Sequence, residues 1–584
     1  MVRSEYPRPQ LRRSDDSWVN LNGKWEFEID HGNSGVSRGM FRADAKYSRE
    51  IFVPFCPESK LSGIENKDFM RCVWYRRQCT LKPDWDTAKG RVLVHFGAVD
   101  YFAQVWVGDE YAGGHKGGYA PFQLDITDKL KGAREFRLTV RAEDDVHSPA
   151  QPSGKQSYDY FSAGCHYTRT TGIWQTVWLE YVPNYYIRHV LLTPDVKNEK
   201  LNVRVRPERY LAAGSKLTFT VRDGDNILRT LTVAANWGET EIDIPMPGAT
   251  LWEPGKPYLY GLDVVLTAPN EPEDRVESYF GMRSVEVTPK CVLINGKPVF
   301  QRLILDQGFY PDGIYTAPDD SELRADIERS MAMGFNGARL HQKVFEPRFL
   351  YWADILGYLC WGEHASWGFD VCDPAVFTSF LNEWCEIVER DCSSPAIIGW
   401  CPFNETPRAE ETLGAIYRLT KRLDPSRPVI DTSGWSHHIT PDGRPGTDVY
   451  DFHDYEQNAA VLAERIRPYS EGKTPPHAPV TDPKAWHPDT PYFCSEFGGT
   501  RWAETDAGWG YGVGPANEQE FIDRFGSLVT LLLQDPDMCA FCYTQLTDVE
   551  QEKNGLYTYE RQAKFPPETL RKYVAAKAAI ESGN

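Results

Sequence analysis

Up to about residue 290 the chain alternates apolar and polar positions in short runs. RVLVHFGAVDYFAQVWVGDEYAG (91–113) does so twice around a short break, with Val92, Val94 and Phe96 and then Ala103, Val105 and Val107 on one face. EFRLTVRAED and IWQTVWLEYV repeat the period of two. Side chains alternate faces along a strand, so such runs separated by turn residues predict the half-buried strands of a β-sandwich. A soft boundary falls at Pro183-Asn184. A second β segment follows, with KLTFTVRDG and LDVVLTAPN, and ends in FGMRSVEV, Phe280 to Val287.

From about residue 290 strand-like runs alternate with helical ones. In DDSELRADIERSMAMG, Asp319 and Glu322 stand at capping-box spacing, Leu323, Ile327 and Met331 share a face, and Gly334 is a stop. Asp373-Pro374 opens another helix, with Phe377, Leu381, Trp384 and Val388 on its apolar stripe. The strand-like runs fall at 298–305, 335–341, 358–363, 396–405, 428–433, 448–455, 491–497 and 538–547. Eight such units with helices between them predict a (β/α)8 barrel. A doubly wound open sheet would usually carry a Gly-rich phosphate loop after its first strand, and the sequence has none.

The chain of 584 residues exceeds the roughly 250–300 at which single cores stop growing, so several domains are expected. Net charge is −19 with no Lys/Arg block, which argues against nucleic acid or an anionic membrane as partner. The N-terminal MVRSEYPRPQLRRSDDSW lacks an apolar stretch after its basic residues and does not read as a secretory signal. No run approaches the ~20 apolar residues of a membrane helix. Cysteines are scattered and odd in number, 13, and Cys360, Cys385, Cys401, Cys494, Cys539 and Cys542 lie in apolar surroundings, as reduced core thiols do. A cytoplasmic protein is expected. The Cys539-x-x-Cys542 pair sits in a strand-like run without a second pair, and reads as core rather than zinc.

Polar residues at the C-terminal ends of barrel strands point into the mouth. The run GWCPFNETP (399–407) delivers Asn404 and Glu405 at the end of the fourth strand, and PYFCSEFGGT delivers Glu496 at the end of the seventh. Glu363 ends the third. One such Glu could be a salt-bridged structural residue, because a buried carboxylate is costly unless paired. Two facing each other across a mouth suit glycoside hydrolysis, one as general acid and the other as nucleophile or as base for water. Trp361, Trp367, Tyr455, Trp502, Trp509 and Tyr543 lie at or near strand ends, where flat rings could stack on sugar faces.

Taken together, LNGKWEFEID, TTGIWQTVWLE, FGMRSVEV, INGKPVFQR, MGFNGARLHQ, GWCPFNETP, SEFGG and TDVEQEKNGLY, in this order and spacing, resemble glycoside hydrolase family 2, the β-galactosidases, β-glucuronidases and β-mannosidases. The resemblance covers nearly the whole chain. It implies a jelly-roll sandwich over 1–183, an immunoglobulin-like sandwich over 184–288 and a catalytic (β/α)8 barrel over 289–584. It also implies a retaining mechanism, with Glu405 as acid/base, Glu496 as nucleophile, Asn404 on the sugar 2-hydroxyl, and Tyr455 orienting the nucleophile. His453 stands two residues before Tyr455, and Tyr543 matches the strand-eight aromatic. The carboxyl groups should lie about 5–5.5 Å apart. Glu405 should be held protonated near neutral pH and Glu496 ionised.

Two departures bear on the substrate. Asp306-Gln307 stands where well-known members end strand one in Arg-His. Glu552-Lys553-Asn554 stands where the β-glucuronidases carry Asn-x-Lys, so an acidic residue would repel a uronate unless Lys553, Arg339 or Arg501 compensates. Arg339, His341, Glu363, Asp306, Gln307, Trp361 and Trp502 complete the expected sugar-binding wall, with Asp431 a further polar candidate. The expectation is a β-galactosidase-like exo-glycosidase. A β-glucuronidase or other glycosidase of the family, a transglycosylase, a metal-dependent barrel enzyme and an inactive carbohydrate-binding protein are the alternatives. No cofactor and no metal are expected, the partner is a carbohydrate, and a homo-oligomer is open.

Overall fold

The computed structural model describes residues 3–406, 410–440, 443–444, 446–470, 487, 489–503 and 508–582. Two antiparallel sandwiches precede a barrel. The first joins a six-stranded sheet, centred on Cys72–Thr80 and Glu135–Glu143, to a four-stranded sheet holding Gly90–Phe96 and Val177–Pro183. Val92, Val94 and Phe96 meet Ala103, Val105 and Val107 in its core, as the alternation requires. The second begins at Ile187–Asp195 and sets a three-stranded sheet against a four-stranded one, with Leu217, Phe219, Leu262 and Val264 between them.

The barrel strands are β1 (Gln301–Asp306), β2 (Gly337–Leu340), β3 (Leu359–Glu363), β4 (Ile397–Cys401, continued by Phe403–Asn404), β5 (Thr432–Ser433), β6 (Tyr450–Asp454), β7 (Tyr492–Gly498) and β8 (Met538–Thr544). Each falls on one of the eight expected runs. Parallel pairing runs in the order β4, β3, β2, β1, β8, β7, β6, and the short β5 pairs with the continuation of β4. The helix signals hold locally: Asp319 accepts from Glu322 N and Asp373 from Ala375 N. The second helix, Pro374–Asp391, buries Phe380, Trp384, Ile387 and Val388, while Phe377 and Leu381 are only half-buried, so its stripe is rotated from the expected one.

The barrel's hydrophobic cluster does not stop at the barrel. It takes in Ala98, Tyr119, Tyr167 and Trp174 from the first sandwich and Trp252 from the second. Trp252 Nε1 donates to Asp354 O (2.8 Å) and Thr316 Oγ1 to Trp174 O (2.6 Å). The sandwiches are therefore seated on the barrel by buried aromatic rings. Of the six cysteines expected in apolar surroundings, Cys385 is half-buried and the others are buried. Among the described residues no helix is long and apolar enough to cross a membrane.

Candidate active site

Arg339 on β2 organises the barrel mouth. Its guanidinium, 1% exposed, donates to Glu496 Oε1 (3.1 Å), Glu363 Oε2 (2.9 Å), Asn404 Oδ1 (3.0 Å) and Ser495 O (2.9 Å). Inward-facing ends of β2, β3, β4 and β7 are thus tied by one planar cation, whose fork suits several acceptors at once. Asn404 Oδ1 faces Arg339, which leaves the amide NH2 as the group available to a ligand. Glu363 Oε1 also accepts from Gln342 N (3.1 Å), and His341 Nδ1 lies 3.0 Å from the same oxygen.

Glu405 sits just past Asn404 with a left-handed backbone (φ 45°), and its N–H bonds Ser433 O (2.8 Å). Its side chain is 26% exposed against 6% for Glu496. The acid/base candidate therefore opens toward solvent and the nucleophile candidate lies beneath it. Tyr455 donates its hydroxyl to Glu496 Oε2 and stacks face to face on Tyr511.

His453 lies between the two carboxylates. Its Nδ1 is 2.7 Å from Glu405 Oε1 and its Nε2 is 3.4 Å from Glu496 Oε1. Behind it runs a buried polar chain. Ser433 Oγ is 3.0 Å from His453 Nε2 and donates to Asp451 Oδ2 (2.6 Å), and His437 lies between Asp451 (3.3 Å) and Asp431 (2.6 Å). Asp431 thus faces this buried chain, one step removed from the mouth.

Charge in the site is redistributed by His453. Burial pulls the imidazole down, but Glu496 and Glu405 outweigh it and raise its pKa. Burial pushes Glu405 up, yet the hydrogen bond and charge of His453, and then the charge of Lys155, bring it to about 2. Glu496 is likewise lowered by His453, His341 and Arg339 against the effect of burial. His453 at 2.7 Å thus works against the protonated Glu405 expected from the sequence, lowering its pKa, and the two side chains form one hydrogen-bonded pair.

Three expected aromatics do not line the mouth. Trp361 lies one layer below Glu363, fully buried, with Nε1 on Gln301 Oε1 (2.7 Å). Trp502 packs on Phe521 and Phe565 at the outer helix layer. Tyr543 also turns outward, onto Phe497 and Phe525, because alternation along β8 gives the inward place to Thr544, whose Oγ1 is 3.4 Å from the Tyr455 hydroxyl. Asp306 turns away as well. It caps Gly308 N (2.9 Å) beside Asp326 and Arg561, and burial and Asp326 raise it to about 6. Trp367, Tyr455 and Trp509 do reach the mouth: Trp367 Nε1 donates to Asn404 O (2.9 Å), and Trp509 Nε1 to Gly164 O (2.6 Å).

Residues from the first sandwich complete the wall, and the sequence reading did not single them out. The connection 144–171 rises over the mouth and carries Lys155 and Tyr167. Tyr167 donates to Glu552 Oε2 (2.5 Å), Gln307 Nε2 donates to the Tyr167 hydroxyl (2.7 Å) and to Gln545 Oε1 (2.6 Å), and Asn554 Nδ2 donates to Glu552 Oε1 (2.8 Å). Both oxygens of Glu552 are thus occupied, and burial raises its pKa. Glu552, the acidic residue expected to oppose a uronate, is thus held within a hydrogen-bond network. The only local signal was the length and aromatic content of SYDYFSAGCHY, long for a sandwich turn.

Among the described residues, Glu405, His453 and Glu496 form a group whose donor atoms all lie within 4.8 Å of one another. They could in principle hold a metal, but His453 Nδ1 is already engaged by Glu405.

Comparison with known proteins agrees with this architecture. The chain matches the models for the glycosyl hydrolases family 2 sugar binding domain over 18–145, glycosyl hydrolases family 2 over 185–283, and the family 2 TIM barrel domain over 285–476. The chain belongs to glycoside hydrolase family 2, and it is an enzyme that hydrolyses glycosidic bonds. It is 26% identical over 480 residues to a β-glucuronidase of Rattus norvegicus, covering 74% of this chain and 71% of that one. A β-galactosidase of Thermoanaerobacter pseudethanolicus is 26% identical over 449 residues, 75% of this chain and 56% of its own. The fold is shared by a family 2 β-galacturonidase from Eisenbergiella tayi bound to galacturonate (TM-score 0.74, 18% identity, 98% and 99% of the two chains).

Proposed function

We propose that this enzyme is a retaining, exo-acting β-glycosidase that removes a terminal uronic acid in preference to galactose. The observation that carries the reaction is the approach of Glu405 and Glu496 oxygens to within 4.8 Å. That is the short separation at which the second carboxylate attacks the sugar itself, since a water-mediated inverting pair needs ~6.5–9.5 Å. Preference for a uronide over the expected galactoside is supported by the relatives, among which β-glucuronidases predominate.

In the first step a Glu496 oxygen bonds to the anomeric carbon as the bond to the leaving oxygen breaks. The Glu405–His453 pair holds one proton, and Glu405 passes it to the leaving oxygen. Glu496 loses its charge on being glycosylated. Water then attacks the anomeric carbon and gives its proton back to the pair, which frees Glu496. Asn404 presents its amide to the 2-hydroxyl, a contact that tightens as positive charge develops on the anomeric carbon. Tyr455 on Oε2 and Arg339 on Oε1 hold the attacking carboxylate in line.

A panel of p-nitrophenyl β-glucuronide, β-galacturonide, β-galactoside and β-glucoside tests the reading, with wild type and Glu496→Ala. Release from a uronide, lost in the variant, with the β anomer of the free sugar appearing first by proton NMR, is the expected result. Initial appearance of the α anomer would overturn retention, and turnover of the galactoside above both uronides would overturn the preference.

A further inference from the structure

Lys155 stands on the first sandwich, far along the chain from every barrel strand, yet it enters the mouth. It lies in a long loop that crosses back on itself in a single parallel bridge, where Tyr167 N donates to Lys155 O (2.7 Å) and Ser157 N to Tyr167 O (2.8 Å). The loop is fixed to the barrel at two places. Ser153 N and Gly154 N donate to Trp367 O (2.8 and 3.2 Å), and Gln551 Nε2 donates to Gly164 O and His166 O (2.7 and 2.9 Å). Gly154 has φ +57°, and a Cβ there would meet Gln342 O at 2.6 Å, so the backbone approach requires glycine. Gln156 next to it is anchored by Asp100 (2.8 Å) and by Thr170 N (2.8 Å). Lys155 is thus held between two immobilised neighbours.

Its side chain is 7% exposed, and its ammonium lies 4.1 Å above the Trp367 ring. That ring is locked in turn by Asn404 O, beside Glu405. Burial pulls the ammonium down, but Cys165, Glu552, Glu496 and Glu405 surround it and raise it on balance. Among the described residues it has no carboxylate within 4.0 Å and no hydrogen bond, so a nearly buried cation keeps its donors unused. Such a group is costly unless something bonds to it. Arg339 is shared among Glu496, Glu363 and Asn404, Lys553 and Lys564 lie 4.0 and 2.6 Å from Asp548, and Arg501 Nε donates to Gly508 O (3.2 Å).

We propose that Lys155 selects an anionic sugar, its ammonium taking the carboxylate of a uronic acid bound in the terminal-sugar position. This rests on the reading of the barrel mouth as a glycosidase site. The cation that discriminates uronides from neutral glycosides is then supplied by the sandwich, and the Glu552-Lys553-Asn554 turn is relieved of that role.

The test compares wild type, Lys155→Met and Lys155→Arg on p-nitrophenyl β-uronides and on the matching neutral glycosides, with calorimetric binding of free glucuronate and galacturonate alongside. The ratio of uronide to neutral kcat/KM should fall roughly 10- to 100-fold in Lys155→Met, the range of a lost charge-assisted hydrogen bond, and recover in part in Lys155→Arg. Uronate binding should weaken in Lys155→Met and persist in Glu496→Ala. An equal fall on uronides and neutral glycosides would make Lys155 a general electrostatic support and overturn the proposal. So would unchanged uronate binding in Lys155→Met. Uronate bound through Lys155 by a protein that cleaves no glycoside would uphold the proposal and defeat the catalytic reading instead.

Discussion

His453 Nδ1 lies 2.7 Å from Glu405 Oε1, while the other nitrogen of the same ring faces Glu496 at 3.4 Å. One imidazole therefore neutralises part of both carboxylates. His453 has a raised pKa, so its favourable charge is fully present below its ordinary 6.5 and is lost as pH rises through the higher folded value. Glu405 is depressed to about 2, so its share is present above its ordinary 4.5 and is lost as pH falls toward 2. The pair's contribution to stability is complete between about 4.5 and 6.5.

From this follows a pH prediction. The alkaline limb of kcat/KM should extend beyond pH 6.5, and His453→Asn should draw it to lower pH while raising the acid limb set by Glu496. Profiles of the two proteins on one p-nitrophenyl glycoside read this directly. Coincident profiles would mean that His453 does not govern the proton.

Tyr455 and Tyr543 make a paired prediction, because one donates to Glu496 and the other packs outward on Phe525. Tyr455→Phe should lower kcat roughly 10- to 100-fold, the worth of a hydrogen bond to a charged group. Tyr543→Phe should leave kcat within about threefold, since removing a packed hydroxyl away from the chemistry changes little beyond stability. Comparable losses in both would contradict the inward and outward assignment on β8.

Arg339→Met should be severe for stability as well as rate. It leaves Glu363, Glu496 and Asn404 without their shared donor in a buried place. The expected cost is about 3–5 kcal/mol, as for other buried pairs broken on one side. Denaturant unfolding should show it, and a loss below about 1 kcal/mol would mean that the carboxylates relax freely to water.

Gly154→Ala should strain the overhanging loop without touching a carboxylate. The left-handed backbone alone costs about 1–2 kcal/mol for an L side chain, and the contact with Gln342 O adds to it. Limited proteolysis should then cut within 158–165 faster than in wild type, and equal rates would show that the loop yields at no cost.

The eight barrel strands and the two carboxylates were legible because each is a local pattern: an apolar run for every strand, and a Glu closing the runs of the fourth and seventh. Arg339 and His453 could be named as candidates, but not their bonds, since these join strands 24 to 157 positions apart. Trp361, Trp502 and Tyr543 misled because an aromatic near a strand end can face the core, the helix layer or the mouth, and a one-position offset decides among them. Lys155 had no signal of its own. What aims it is the docking of a sandwich loop on Trp367, and although Gly154 and Gln156 fix that docking, neither names its distant partner in the sequence.

The buried rings that join the first sandwich to the barrel have a consequence for how the enzyme can change. Tyr119, Tyr167 and Trp174 belong to the barrel's own cluster, so a barrel cut free of the sandwich would uncover that cluster and lose the overhanging loop with it. The paired carboxylates and that loop nevertheless lie on separate stretches of chain. Under the proposed reading, diet and chemistry can therefore drift apart: a rewritten loop would offer the same two carboxylates a new sugar, while the strand ends that carry them stay as they are.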